Sequence, residues 1–155
     1  MSAINLESLN FPGHFIRHAA FLGELTRRGG PVDDFTFTLV SRGPGQVALR
    51  SRNFPDRFLR HRHFRIHLEG PAGRGDDLWR QDSTFFFEQG RADRAGVSFR
   101  SVNFPDRYLR HRDFHLVLEP PAGPDDALFR QDATFFRRPA AVLIDHGTEL
   151  NPVDD

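Results

Sequence analysis

Three histidine–aspartate pairs recur at equivalent places in this 155-residue chain: His61 with Asp82, His111 with Asp132, and His18 with Asp34. The first two share an interval of 21 residues. A carboxylate accepts two hydrogen bonds in its plane, and an imidazole donates or accepts one at an angle, so the pair suits the vicinal hydroxyls of a sugar. Phe58 and the equivalent Tyr108 are expected to cover the C–H face of such a sugar. Nothing in this chemistry requires a reaction. The same residues also have a plainer use, with Asp capping a turn and His bonding to backbone. Composition and spacing leave both readings open.

The pairs recur because the chain repeats. VALRSRNFPDRFLRHRHFRIHLEGPAGRGDDLWRQDSTFF at 47–86 aligns without a gap on VSFRSVNFPDRYLRHRDFHLVLEPPAGPDDALFRQDATFF at 97–136, at a constant offset of 50. A worn copy, INLESLNFPGHFIRH at 4–18, ends in VDDFTF at 32–37. A fixed period settles architecture before any single residue does. Strand signals dominate each copy and helix signals are missing. Phe64, Ile66 and Leu68, like Phe114, Leu116 and Leu118, alternate with polar or outward positions at the period of a half-buried strand. An earlier strand, begun by Ile4, Val47 or Val97, stops at an NFP turn, where Pro12, Pro55 and Pro105 push the preceding Phe into extended geometry. GPAG (70–73) and PPAG (120–123) break the third strand. Asp82 and Asp132 are expected to open the fourth.

Four short strands per copy, in three copies, predict an all-β fold, a β-trefoil of three pseudo-symmetric repeats: a closed six-stranded barrel capped by three hairpins. Closure removes the edges that invite aggregation. The whole of 1–155 reads as a single domain, with repeats at about 4–46, 47–96 and 97–137 and a tail at 138–155. Segments 40–46 and 88–96 are expected to join the repeats as surface turns. In the tail, Ala141–Ile144 is strand-like and expected to pair near the N-terminus, and Asp154-Asp155 is expected to be disordered.

The 21 basic residues are all arginine and balance 21 acidic ones. Zero net charge leaves no electrostatic footprint for nucleic acid or an anionic membrane, and no apolar run approaches the roughly 18 residues of a membrane span. With no cysteine, neither a disulfide framework nor a thiolate metal site is available. No cofactor is called for, and a monomer is expected. Arg57, Arg60, Arg62, Arg107, Arg110 and Arg112, at strand ends, are expected to form surface ion pairs.

Three rival readings stand beside sugar binding. His61 and His63, with Asp82, form a two-histidine, one-carboxylate metal set. Asp56 and Asp106 are the repeated partners that Asp82 and Asp132 would need for glycoside hydrolysis. A trefoil with unused pockets could serve protein interaction or intracellular small-molecule chemistry.

NFPDRYLRH (103–111) with LFRQDATFF (128–136), and NFPDRFLRH (53–61) with LWRQDSTFF (78–86), resemble the signature of the AbfB domain, the family 42 carbohydrate-binding module associated with alpha-L-arabinofuranosidases. The resemblance runs from about residue 4 to 137. It implies a β-trefoil appended to a secreted glycoside hydrolase and binding the L-arabinofuranose side chains of arabinoxylan or arabinan. By position it implies that His61 and Asp82, and His111 and Asp132, line sugar pockets, with His18 and Asp34 in a weaker third. It implies an extracellular location, while the lack of a signal peptide before the first repeat leaves a cytoplasmic one open. Two residues after the histidine, where the family shows asparagine, stand His63 and Asp113, and repeat one has Ala19-Ala20. On these expectations, Asp82→Ala and Asp132→Ala each abolish one pocket without unfolding the protein.

Overall fold

The computed structural model describes residues 3–143 and 149–150. Repeat one contributes β1 (Ala3–Ser8), β2 (His14–Ala19), β3 (Leu22–Arg27) and β4 (Phe37–Gly43). Repeat two contributes β5 (Gln46–Ser51), β6 (Phe58–Arg62), β7 (Arg65–Glu69) and β8 (Phe85–Gln89). Repeat three contributes β9 (Val97–Ser101), β10 (Tyr108–Arg112), β11 (His115–Glu119) and β12 (Phe135–Pro139). First and fourth strands pair around a ring, β1–β4–β5–β8–β9–β12, and β12 returns to β1 with Ile4 opposite Pro139 and Ser8 opposite Phe135. Every strand edge in the ring is therefore used. The hairpins β2–β3, β6–β7 and β10–β11 close one end of this barrel, so the expected β-trefoil is the observed architecture.

The alternation read from the sequence holds where it fills the barrel. Leu6, Leu49, Phe99, Phe37, Phe85 and Phe135 are fully buried, as are Ile16, Leu59, Leu109, Leu25, Leu68 and Leu118 from the hairpins. At the three-fold axis the layer is uneven: Ile66 and Leu116 share it with Gly23. A Cβ on Gly23 would stand 2.8 Å from Ile66 Cγ2 and 3.1 Å from Leu116 Cδ1. Above this layer Arg65 donates to the carbonyls of Gly23 (2.6 Å) and Leu116 (2.7 Å) and to Glu24 (2.8 Å). The hairpin tips interlock. Phe21, Phe64 and Phe114 each offer their carbonyl to an amide of a neighbouring repeat (Leu68, Leu118 and Leu25), at 2.8 Å in all three cases. Both residues of each tip have positive φ (Ala20 and Phe21, His63 and Phe64, Asp113 and Phe114), the two-residue turn that matches strand twist. The family's asparagine falls on the first of these, a left-handed position that asparagine tolerates well.

Three expectations are corrected. Helices do occur, as α1 (Asp77–Asp82) and α2 (Ala127–Asp132). Each starts at an aspartate, Asp76 or Asp126, whose carboxylate accepts from the amide three residues on and from Ala72 or Ala122. Those two backbone N–H groups hold both carboxyls below the ordinary Asp range. Asp82 and Asp132 thus end a helix rather than open a strand, and repeat one has only a 3-10 turn, Val32–Phe35, in its place. Second, most of 40–46 is strand, the link between repeats one and two shrinking to Pro44-Gly45. Third, Val142–Leu143 pairs with Glu149–Leu150 instead of the N-terminal strand. What reaches the N-terminal strand is the Ala141 amide, bonded to Asn5 Oδ1 at 3.0 Å. Ile144, Asp154 and Asp155 lie outside the described residues.

Candidate functional site

The NFP turn is pinned by the serine that ends the preceding strand. Ser51 Oγ accepts from the Phe54 amide (3.2 Å) and donates to Asn53 Oδ1 (3.0 Å). Ser101 does the same for Phe104 and Asn103, and Ser8 for Phe11 and Asn10. This local turn aims each asparagine at another repeat. Asn103 Nδ2 donates to Asp82 Oδ1 at 2.8 Å, and His61 Nε2 lies 2.9 Å from Asn103 Oδ1. In the same way Asn53 joins Asp34 (2.9 Å) to His18 (2.8 Å), and Asn10 joins Asp132 (2.7 Å) to His111 (2.9 Å). Because each amide nitrogen donates to Asp, its oxygen is left to accept, so in each of these three clusters the histidine Nε2 is the donor.

The structure therefore brings together all three predicted pairs, with Nε2–Oδ1 distances of 3.6, 3.3 and 3.4 Å for repeats one, two and three. Each cluster is closed by an asparagine of a different repeat. The second carboxylate oxygen is taken by an arginine from the other face of the histidine's strand: Arg17 on Asp34 at 3.1 Å, Arg60 on Asp82, and Arg110 on Asp132. Arg60 and Arg110 are thus not the surface pairs expected from the sequence: their side chains are only 13% and 9% exposed. Arg62 and Arg112 do form exposed pairs, with Glu69 (2.9 Å) and Glu119 (2.8 Å). Burial pushes the His111 imidazole below its ordinary value against the pull of Asp132, with Arg110 adding to the depression. Such a satisfied, buried ion pair makes truncation costly. The expectation that Asp82→Ala and Asp132→Ala leave folding untouched is accordingly revised.

Phe58 and Tyr108 lie elsewhere. Each stands three positions before its histidine, an odd offset that on a strand means opposite faces. They pack edge-on against the helix residues Trp79 (5.3 Å) and Phe129 (5.8 Å). The rings that meet the histidines are the NFP phenylalanines: Phe54 on His18 at 5.6 Å, Phe104 on His61 at 5.4 Å and Phe11 on His111 at 5.3 Å. Phe104 and Phe11 are 39% and 38% exposed. A hairpin-tip ring stands beside each: Phe21 by Phe54, Phe64 by Phe104, Phe114 by Phe11. Arg57 lies over Phe21 (4.2 Å), Arg107 over Phe64 (3.7 Å), and His14, their counterpart in repeat one, stacks on Phe114 (5.5 Å). The sequence held a signal for these partners, because the asparagines and NFP phenylalanines recur at the same offsets as the histidines.

His63 is exposed at its turn while His61 is buried, so the proposed metal set is not assembled, and the described residues hold no group of three metal-ligating side chains. Around Asp82 and Asp132 the nearest second carboxylates on the same arginines are Glu69 and Glu119, with Arg60–Glu69 at 3.6 Å and Arg110–Glu119 at 3.4 Å. Asp56 instead lines an outer cavity with Glu69 and Arg62. A different cavity, of about 390 Å³, abuts the cluster of repeat one and is lined by Val32, Asp33, Thr36, Arg52, Asn53 and Ala141. No described helix is long and apolar enough to cross a membrane.

The chain is a β-trefoil carrying a thrice-repeated His–Asp–Asn cluster, and comparison with known proteins supplies the family. Residues 30–137 match the model of the alpha-L-arabinofuranosidase B (ABFB) domain, and the chain belongs to that family. It is similar in fold to a GH54 α-L-arabinofuranosidase soaked with a cyclic sulfate inhibitor (TM-score 0.78, 20% identity, 90% of this chain and 31% of that one). An arabinofuranosidase complexed with arabinofuranosyl-alpha-1,2-xylobiose matches similarly (TM-score 0.78, 19% identity, 90% and 31%). The chain thus spans about a third of the arabinofuranosidases it matches. The designed three-fold protein ThreeFoil matches over nearly its whole length (TM-score 0.67, 9% identity, 87% and 96%). No curated protein matches the chain by sequence.

Proposed function

We propose that the chain is a non-catalytic carbohydrate-binding domain that recognises L-arabinofuranose side chains of arabinoxylan or arabinan and serves a glycoside hydrolase module. The observation that carries this reading is the juxtaposition, repeated three times, of a carboxylate–amide–imidazole cluster with a phenylalanine contributed by another repeat, half-exposed at Phe104 and Phe11. A furanose has a C–H face that suits Phe104 or Phe11. Its vicinal hydroxyls both donate and accept, and so suit an edge made of Asp, Asn and His-NH. Each carboxylate is already neutralised by an arginine, an arrangement fitted to hold a neutral polyol rather than to shuttle a proton. One sugar offers few contacts, and several sites on one rigid body gain avidity on a branched polymer when their spacing allows simultaneous capture.

The test is titration calorimetry with arabinofuranosyl-decorated xylo-oligosaccharides, with undecorated ones as control. Heat with the decorated set alone, diminished in Phe104→Ala and Phe11→Ala, is the expected result. Those half-exposed rings can be removed without opening the barrel core. No heat with either set on folded protein overturns the reading.

A further inference from the structure

Repeat two carries a cavity of about 470 Å³ walled by Asp56, Arg57, Arg60, Arg62, Glu69 and Asp76. We propose that it is a second subsite, holding the neutral sugar unit adjacent to the arabinofuranose; this rests on the function proposed above. Its volume falls within the range of small-ligand sites. Arg60 is the partition between cavity and cluster: Nε donates to the His61 carbonyl (3.2 Å), Nη2 holds Asp82 and Nη1 lies 3.6 Å from Glu69. Two linked sugars would therefore lie on either side of one guanidinium.

The wall chemistry selects the ligand class. Three guanidinium groups face three carboxylates, and no positive charge is left over for an anion. Glu69 is shared between Arg60 and Arg62, and Asp76 is bonded to the amides of Ala72 and Trp79. Interleaved donors and acceptors match hydroxyls, which do both. All six wall residues recur fifty positions on in repeat three, where Arg112 bonds Glu119 at 2.8 and 3.0 Å. One lining position differs. Gly70, whose Cβ would stand 2.7 Å from the Asp56 carbonyl, is replaced there by Pro120. Repeat one has Ala19 and Thr26 where Arg62 and Glu69 stand, so it lacks these walls.

The experiment compares methyl α-L-arabinofuranoside with an arabinofuranosyl xylo-oligosaccharide, on the wild type and on the double variant Arg62→Ala, Arg112→Ala. Both arginines sit in exposed ion pairs that add little to stability, and an unchanged melting temperature checks this. The expected result is tighter binding of the oligosaccharide by the wild type. The variant should weaken it about fivefold, the effect of one lost polar contact, with the methyl glycoside unaffected. Equal loss for both ligands, or no loss for either, overturns the subsite while leaving the arabinofuranose reading in place. If the wild type binds neither ligand, the functional reading fails and the subsite with it.

Discussion

Repeat one and repeat three use the same residues for the same cluster and expose it differently. Asp132 and Arg110 have side chains 6% and 9% exposed, whereas Asp34 and Arg17 are 17% and 19% exposed, and their partner Asn53 lines a cavity. The cause lies in the connection. Repeats two and three have room between third strand and aspartate for a capped helix, whose Trp79 or Phe129 packs onto Phe58 or Tyr108, with Arg42 over Trp79 and Arg110 over Phe129. Repeat one crosses the same gap with a 3-10 turn. The repeat that diverges most in sequence is thus the one whose cluster is most accessible, and residue identity alone does not rank the three sites.

The largest expected effect breaks the pairing where it is most buried. Arg110→Ala leaves the Asp132 carboxylate buried beside His111 and Asn10, and removing one partner of a buried ion pair costs about 3–5 kcal/mol. Arg17→Ala makes the same change in the open cluster, where solvent can replace the lost donor, and should cost about 1 kcal/mol or less. Urea unfolding of both variants checks the ratio. Equal losses would mean that accessibility does not distinguish the two repeats.

A second contrast lies at the axis. Repeats two and three put Ile66 and Leu116 into one layer, and repeat one completes it with Gly23. Gly23→Leu would restore sequence symmetry at the expense of space already filled by those side chains. Overpacking of this kind costs roughly 1–3 kcal/mol, visible as a lower urea midpoint. A neutral result would show that the layer is looser than the 2.8 Å approach implies.

Acid should also act unevenly. The His111 imidazole is held below its unfolded value of about 6.5, first by burial. As pH falls below that value the unfolded chain takes up a proton that the folded chain refuses. The contribution is therefore complete above about pH 6.5 and is lost on moving down toward the folded pKa. Thermal melts between pH 8 and 5 should show this fall, and His111→Gln should flatten it. His67 is shifted the same way, by burial and then Arg62, so His67→Gln is the companion variant. An unaltered slope in both would remove the histidines as the cause.

How much of this was legible in the sequence follows from range. The period, the NFP turn and the strand alternation are local, and they fixed the trefoil. The His–Asp pairing lies within a repeat and was also readable. The short helices were missed because six residues are too few for a helical period to show, although Asp76 and Asp126 ahead of Leu78-Trp79 and Leu128-Phe129 were cap signals. Phe58 and Tyr108 were misassigned against strand parity, which the sequence already contained. What no local signal supplied was that Asn103 completes the site of repeat two and Asn10 that of repeat three, since that depends on how the barrel closes.

The smallest predicted effect sharpens the comparison at the hairpin tips. The first tip residue has φ of 51° at Ala20, 52° at His63 and 52° at Asp113. An L-residue in this left-handed region is strained by about 1–2 kcal/mol, and asparagine and aspartate relieve part of that through local hydrogen bonding. Repeat one, with alanine, lacks that relief, while repeat three has it. Ala20→Asn should therefore stabilise the protein by about 0.5–1 kcal/mol, raising the urea midpoint without altering its slope. Asp113→Ala should lower it by a similar amount. Because the tip's next carbonyl, that of Phe21, accepts from Leu68, a better-held turn also tightens the seam between repeats one and two. Slower amide exchange at Leu68 in Ala20→Asn would report it. Unchanged exchange together with a raised midpoint would confine the gain to the turn.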